Sequence, residues 1–207
     1  LLDVSTELTN YAPESGVEAK LVNACVDSGM EFEEFLGGIK QLASTSSQNL
    51  LTNPVKKTFN LRDLVLRIST RFEQQLASKS IDLKVDISES LDVKSSSEIV
   101  DTIIYNFLSN AIKYNKPDGD VTLIAKQEKD KMRIEVADTG LGIPAEAMPH
   151  LFKKFFRVHE TESMIIGTGL GLSITKQIVQ GHRGIIDVKS KSGKGTKFII
   201  HLPLKAQ

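Results

Sequence analysis

The sequence predicts an α/β (α+β) fold: a two-layer sandwich, a mixed sheet with helices on one face, preceded by a helical hairpin. Three observations carry that expectation. From about Thr58 the apolar residues alternate between period 2 and period 3.6. Two alternating runs, 121–127 and 132–137, flank Lys129 and Asp130 as the arms of a β-hairpin do. The first fifty residues instead have helical spacing with no strand pattern beside it.

In chain order, residues 1–12 and about 18–43 read as helices, interrupted by Pro13, Glu14, Ser15 and Gly16. Phe32, Phe35, Ile39 and Leu42 form one apolar stripe, which must be buried on another helix or a partner chain. The polar stretch 44–53, followed by Pro54, reads as a linker, so the chain divides into 1–53 and 54–207. Asn60 with Asp63 three residues on is a capping signal for a helix whose Leu61, Leu64, Val65, Ile68, Phe72 and Leu76 share a face. Residues 81–87 alternate as a strand and 91–93 as a short second one. Ser95, Ser96 and Ser97 offer caps for a helix reaching about Asn115, and Lys116 to Gly119 then make a turn. Beyond the hairpin come a helix after Gly169, a strand near 185–188, a turn at Gly193 and Gly195, and a last strand at 197–202. That amounts to about five strands under roughly three helices.

Lys+Arg and Asp+Glu both number 26, so the net charge is zero, which argues against a partner held by bulk charge: no nucleic acid, and no anionic membrane surface. A small anion in a local site remains compatible with that balance. Cys25 is the only cysteine, which excludes an intrachain disulfide and a Cys/His zinc cluster and fits a reducing, cytoplasmic setting. No run of about 18 apolar residues is present. The chain starts at Leu1 without Met and reads as a fragment of something longer, so a membrane enters only through segments absent from it.

Four segments carry candidate chemistry. On the helix 98–115, Asn106, Asn110 and Lys113 share a face at about 100° per residue, with Tyr114 beside them. Two amide oxygens one turn apart suit a hard cation that leaves phosphates and water in its shell, and the lysine suits a phosphate oxygen. N-x-x-x-N alone is more often a solvated polar face. Asp138 opens the run DTGLGIP directly after a strand. There a buried aspartate accepts from an amino group with sharp discrimination, while glycines let backbone pass close to a flat ring. D-x-G-x-G alone is more often a turn. GTGLGL, 167–172, opens a helix whose free amides suit phosphate; its spacing is not that of a dinucleotide fold. Between them lie LFKKFFRVH, 151–159, and a looser stretch, 160–166, readable as a lid carrying Lys154 and Arg157, hinged at Gly167 and near Arg157.

In this order the segments resemble the catalytic ATP-binding domain of sensor histidine kinases of two-component systems, in the GHKL superfamily with gyrase and Hsp90, whose fold is the Bergerat type. NFLSNAIKY, 106–114, is similar to the family's N box, DTGLGIP and GTGLGL to its glycine boxes, LFKKFFRVH to its F box, and Gly193 to Thr196 to its trailing glycine segment. The resemblance covers about 54–207. It implies ATP and Mg²⁺ as cofactors, the metal on Asn106 and Asn110, with Lys113 and Arg157 on phosphates. It implies Asp138 on the adenine amino group, Tyr114 near the nucleotide and Thr196 close to the base. Gly140, Gly142, Ile143, Phe156, Gly167, Thr168, Gly169, Leu170 and Gly171 complete the implied cofactor-binding set. Gyrase-like members place a glutamate general base where this chain has Asn106, which accepts no proton at neutral pH, and that favours phosphoryl transfer over hydrolysis. The implied activity is transfer of the ATP γ-phosphate to a protein side chain, with a response regulator as partner and a homodimer through the N-terminal helices. The alternatives are a pseudokinase or nucleotide-gated scaffold and, less favoured, a gyrase-type hydrolase.

The sequence departs from the family at the acceptor. Its histidines are His150, His159, His182 and His201, all late in the chain, whereas VSTEL, 4–8, is similar to the family's H box with Thr6 in the histidine's place and Glu7 beside it. Three readings stand. Thr6 occupies the acceptor position, with Glu7 as its base; the acceptor lies upstream of Leu1; or the five-residue match is chance.

Overall fold

The computed structural model of the chain describes residues 57–158 and 169–204. The expected helical hairpin and linker, Thr6, Glu7, and residues 159–168 with Gly167 and Thr168 lie outside the described residues.

A short strand, β1 (Lys57–Asn60), runs straight into α1 (Leu61–Ser69). Asn60 caps the helix as its spacing predicts, its side-chain oxygen accepting from the Asp63 amide at 3.0 Å. Leu61, Leu64, Val65 and Ile68 fill the buried face. The predicted single helix does not continue to Leu76. Thr70–Phe72 tightens into a 3-10 turn before α2 (Glu73–Ser78). The local cause is hydroxyl competition: Ser69 Oγ donates to the Val65 carbonyl and Thr70 Oγ1 to that of Arg67, both at 2.9 Å. Phe72 stays buried by leaning on Tyr105, ring centroids 5.1 Å apart.

The remaining elements are β2 (Asp82–Ile87), β3 (Asp92–Ser95), α3 (Ser97–Lys113), β4 (Asp120–Glu128), β5 (Lys131–Asp138), a 3-10 turn (Met148–His150), α4 (Gly171–Gly181), β6 (Ile185–Lys191) and β7 (Gly195–Pro203). Ser96 is the cap of α3, accepting from the Ile99 amide at 3.4 Å. The main sheet has the order β2-β4-β5-β7-β6, with β2 and β4 parallel and the other neighbours antiparallel, the expected mixed sheet. The segment predicted as a short strand at 91–93 stands outside it. As β3 it pairs with β1 in a separate antiparallel ribbon. β1, reading Lys-Thr-Phe-Asn, carries too little alternation to be seen in the sequence.

Register sorts the sheet's two faces. Leu123 lies opposite Val136, which lies opposite Phe198, and all three are buried beneath the helices. Phe198 stacks on Phe107 of α3, ring centroids 4.9 Å apart. The opposite face carries charge: Lys84 pairs with Asp120 at 2.8 Å, and Glu135 sits between Arg133 and Lys197, the latter at 2.5 Å. Burial pushes the Glu135 carboxyl up, but the two cations outweigh it and hold it below its ordinary value. No helix among the described residues is long and apolar enough to cross a membrane.

Candidate functional site

Three chain segments converge where β5 ends. Asp138 shares the inner face of β5 with Met132, Ile134 and Val136, so the alternation that buries those apolar residues also draws the carboxylate inward. Asp138 Oδ1 accepts from the amides of Gly140 at 2.9 Å and Thr196 at 3.1 Å. Burial nevertheless dominates and lifts the Asp138 pKa from 3.8 to about 6, the two amides only tempering the rise. With Oδ1 taken up by backbone, Oδ2 is left as the acceptor for a bound group.

The glycines let backbone lie on backbone, a closer constraint than the room for a flat ring that the sequence implied. A Cβ on Gly140 would stand 2.2 Å from the Tyr114 carbonyl oxygen, and that oxygen also accepts from the Leu141 amide at 3.0 Å. The end of α3 is thereby locked to the loop after Asp138. Gly195, at φ +99°, packs against Asp138 itself, a Cβ there falling 2.0 Å from the Asp138 carbonyl oxygen. Gly142 lies against the Lys191 carbonyl, and Ile143 is buried with its amide donating to Ser190 Oγ at 2.8 Å.

The second cluster joins α3 to α4. Asn106 is buried, and its Nδ2 donates to the Gly171 carbonyl at 3.2 Å and to Thr175 Oγ1 at 3.1 Å. That pair of bonds fixes the amide and leaves its Oδ1 as the atom able to meet a cation. Asn110, one turn later and half-buried, makes no side-chain hydrogen bond among the described residues. Two neutral amide oxygens on one helix face therefore fit a magnesium ion that takes its other ligands from phosphates and water. Lys113 and Tyr114 follow, half-buried, at the end of α3.

The segment 151–158 is tied to the start of α4: the Phe155 amide donates to the Gly169 carbonyl at 3.0 Å, and Lys176 Nζ lies 5.1 Å from the Phe152 ring centroid. Phe156 and Arg157 are half-buried there, while Leu170 is 1% exposed and belongs to the core. The first turn of α4 has neither a side-chain cap nor an acidic residue, so its amides suit an anion.

Sequence reasoning missed three supports. Thr175 is fully buried under Asn106, Ser190 bridges two loops, and Lys79 Nζ donates to the carbonyls of Ile112 at 3.1 Å and Lys113 at 2.7 Å, closing the C-terminus of α3. A hydroxyl at an inward position, as in Ile186, Val188, Ser190, was the available signal.

Residues 96–206 match the family model described as histidine kinase-, DNA gyrase B-, and HSP90-like ATPase. The chain is 32% identical over 161 residues to the sensor histidine kinase YclK of Bacillus subtilis, covering 77% of the chain and 33% of YclK. It is 29% identical over 209 residues to the circadian input-output histidine kinase CikA of Synechococcus elongatus, covering 98% of the chain and 28% of CikA. The chain thus spans about a third of the length of these curated relatives. Among solved structures it is similar to the catalytic domain of histidine kinase ThkA, at 28% identity and a TM-score of 0.62, over 72% of the chain and 95% of that domain. ThkA in complex with response regulator protein TrrA shares the fold at 22% identity and a TM-score of 0.70, over 97% of the chain and 55% of that one.

Proposed function

The chain belongs to the histidine kinase-, DNA gyrase B-, and HSP90-like ATPase family and is the ATP-binding catalytic portion of a sensor histidine kinase, and from that premise we propose how its residues work. Asp138 Oδ2 accepts from the adenine amino group, with Thr196 close to the base and Tyr114 near the nucleotide. Lys113 and Arg157 contact the phosphates, helped by the first amides of α4 from Gly171 on, with Gly169 and Leu170 at the turn before it. Gly167 and Thr168, outside the described residues, belong to the same cofactor-binding set by the resemblance. Gly140, Gly142, Ile143 and Phe156 shape the walls. Asn106 and Asn110 hold Mg²⁺, which when bound neutralises charge on the phosphates. The observation that carries the reading is Asp138: a half-buried carboxylate with one oxygen committed to two backbone amides and the other left to accept, beside glycine-lined backbone.

The reaction is transfer of the ATP γ-phosphoryl group to a protein side chain. Lys113 and Arg157 stabilise the charge that spreads over the phosphoryl oxygens. Asn106 supports transfer over hydrolysis, because an amide cannot take a proton from water and its nitrogen is already spent on α4. The partner is a response regulator, the kind of protein ThkA binds, and the N-terminal segment 1–53 supplies a homodimer interface; the acceptor is either Thr6, with Glu7 beside it, or a side chain outside this chain. The setting is the cytoplasm.

Incubation with γ-labelled ATP and Mg²⁺ tests this. Acid-labile label reports phosphohistidine, whereas acid-stable label lost in Thr6→Ala reports Thr6. ATP binding without label marks a nucleotide-gated scaffold. Phosphate release by the wild type, unaccompanied by label, would make it a hydrolase.

A further inference from the structure

Ser190 and Thr196 are cross-strand partners in β6 and β7, on the sheet face that also carries Asp138. Ser190 Oγ makes three contacts: it receives the Ile143 amide at 2.8 Å, donates to the Gly195 carbonyl at 3.0 Å, and lies 2.9 Å from Thr196 Oγ1. A serine hydroxyl has one proton and two lone pairs. The proton goes to Gly195 and one lone pair to Ile143, so the contact with Thr196 is satisfied when Thr196 donates into the second lone pair. The Thr196 hydroxyl has then spent its only proton and can only accept.

Thr196 is 7% exposed, and its own amide donates to Asp138 Oδ1. Among the described residues, the side-chain oxygens at this end of β5 and β7 that are left to accept are Asp138 Oδ2 and Thr196 Oγ1. We propose that Ser190, by orienting the Thr196 hydroxyl as an acceptor, is a positioning residue that sets which purine the site takes, admitting a 6-amino group and rejecting a 6-oxo group. This rests on the proposed assignment of Asp138 to the adenine amino group and of Thr196 close to the base. A carbonyl in place of the amino group meets lone pairs on both sides and loses its hydrogen bonds, the kind of mismatch that discriminates strongly. With Ser190 gone, the Thr196 hydroxyl is free to turn and donate, and the rejection relaxes.

The test compares ATP, inosine triphosphate and purine riboside triphosphate, which carry 6-amino, 6-oxo and 6-hydrogen respectively. Each is titrated with Mg²⁺ onto the whole chain in wild-type, Ser190→Ala, Ser190→Thr and Thr196→Val forms. Ser190→Ala also leaves the Ile143 amide without its acceptor, and that loosening weakens all three nucleotides alike, so the readout is the ratio of affinities. The expected result is a fall of about 10-fold in the preference for ATP over inosine triphosphate in Ser190→Ala. Ser190→Thr, which keeps the hydroxyl, should retain the wild-type ratio. Thr196→Val removes the hydroxyl itself; it should lower ATP affinity relative to purine riboside triphosphate, and adding Ser190→Ala should change that ratio no further. Equal weakening of all three nucleotides in Ser190→Ala, or an unchanged ratio, would overturn the proposal while leaving the nucleotide site standing. A wild-type chain that binds no ATP would overturn both.

Discussion

Asp138→Asn separates binding from stability in one residue. The carboxyl is lifted from 3.8 to about 6, chiefly by burial, so the folded chain holds its proton more tightly than the unfolded chain does. Ionising it at neutral pH therefore opposes folding. The interval between 3.8 and about 6, at about 1.4 kcal/mol per unit, gives about 3 kcal/mol. Partial exposure of the side chain reduces this to about 1–2 kcal/mol. Wild-type stability should fall as pH rises from about 4 through about 6 and then level off. The asparagine keeps an oxygen for the Gly140 and Thr196 amides and has no charge to bury, so it should be the more stable protein above pH 6 and gain little near pH 4. Binding should move the other way. With its oxygen on the two amides the asparagine turns its NH₂ toward the adenine amino group, and when flipped it turns NH₂ onto the amides, so either orientation sets donors against donors. ATP affinity should drop on the order of 100-fold. Urea melts at pH 4, 6 and 8 measure the first effect and displacement of a fluorescent nucleotide the second. A variant no more stable than wild type at pH 8 would refute the burial argument. Full ATP affinity would refute the assignment of Asp138.

Wild-type ATP affinity should itself weaken as pH falls through about 6, since protonation removes charge from the acceptor; a flat profile between pH 5 and 8 in a binding titration would contradict it. Asn110→Ala should raise the Mg²⁺ concentration needed for half-maximal ATP binding by at least about 10-fold, read by titrating Mg²⁺ at fixed ATP. Lys79→Met, which removes the donor closing the last turn of α3, should cost about 1–2 kcal/mol in urea melts, and Lys79→Arg should recover part of it. Gly195→Ala must place a side chain at φ +99° and 2.0 Å from a carbonyl, and should cost at least about 2 kcal/mol together with nucleotide binding.

Much of the fold was legible because its signals are local. The Asn60 and Ser96 caps, the hairpin about Lys129 and Asp130, and the period-2 faces of β4 and β5 each depend on residues a few positions apart. The break at Thr70–Phe72 was hidden because its apolar spacing still suited one helix, while two hydroxyls decided otherwise. β1 was hidden because a four-residue strand exists only through its partner β3.

The site divides the same way. The order of its motifs, Asn106 to Tyr114, DTGLGIP, the phenylalanine segment and the glycine run at Gly169 and Gly171, was open to reading from residue identity alone, as was the resemblance they carry. Tertiary structure alone decided what each member touches. It placed the Thr196 amide on Asp138 across 58 residues and the Asn106 amide on Thr175 across 69, and it made Gly140 and Gly195 necessary through the carbonyls beside them. Hydrogen bonds and steric contacts of that kind are set by distance in space, and spacing along the chain encodes that distance only within one element.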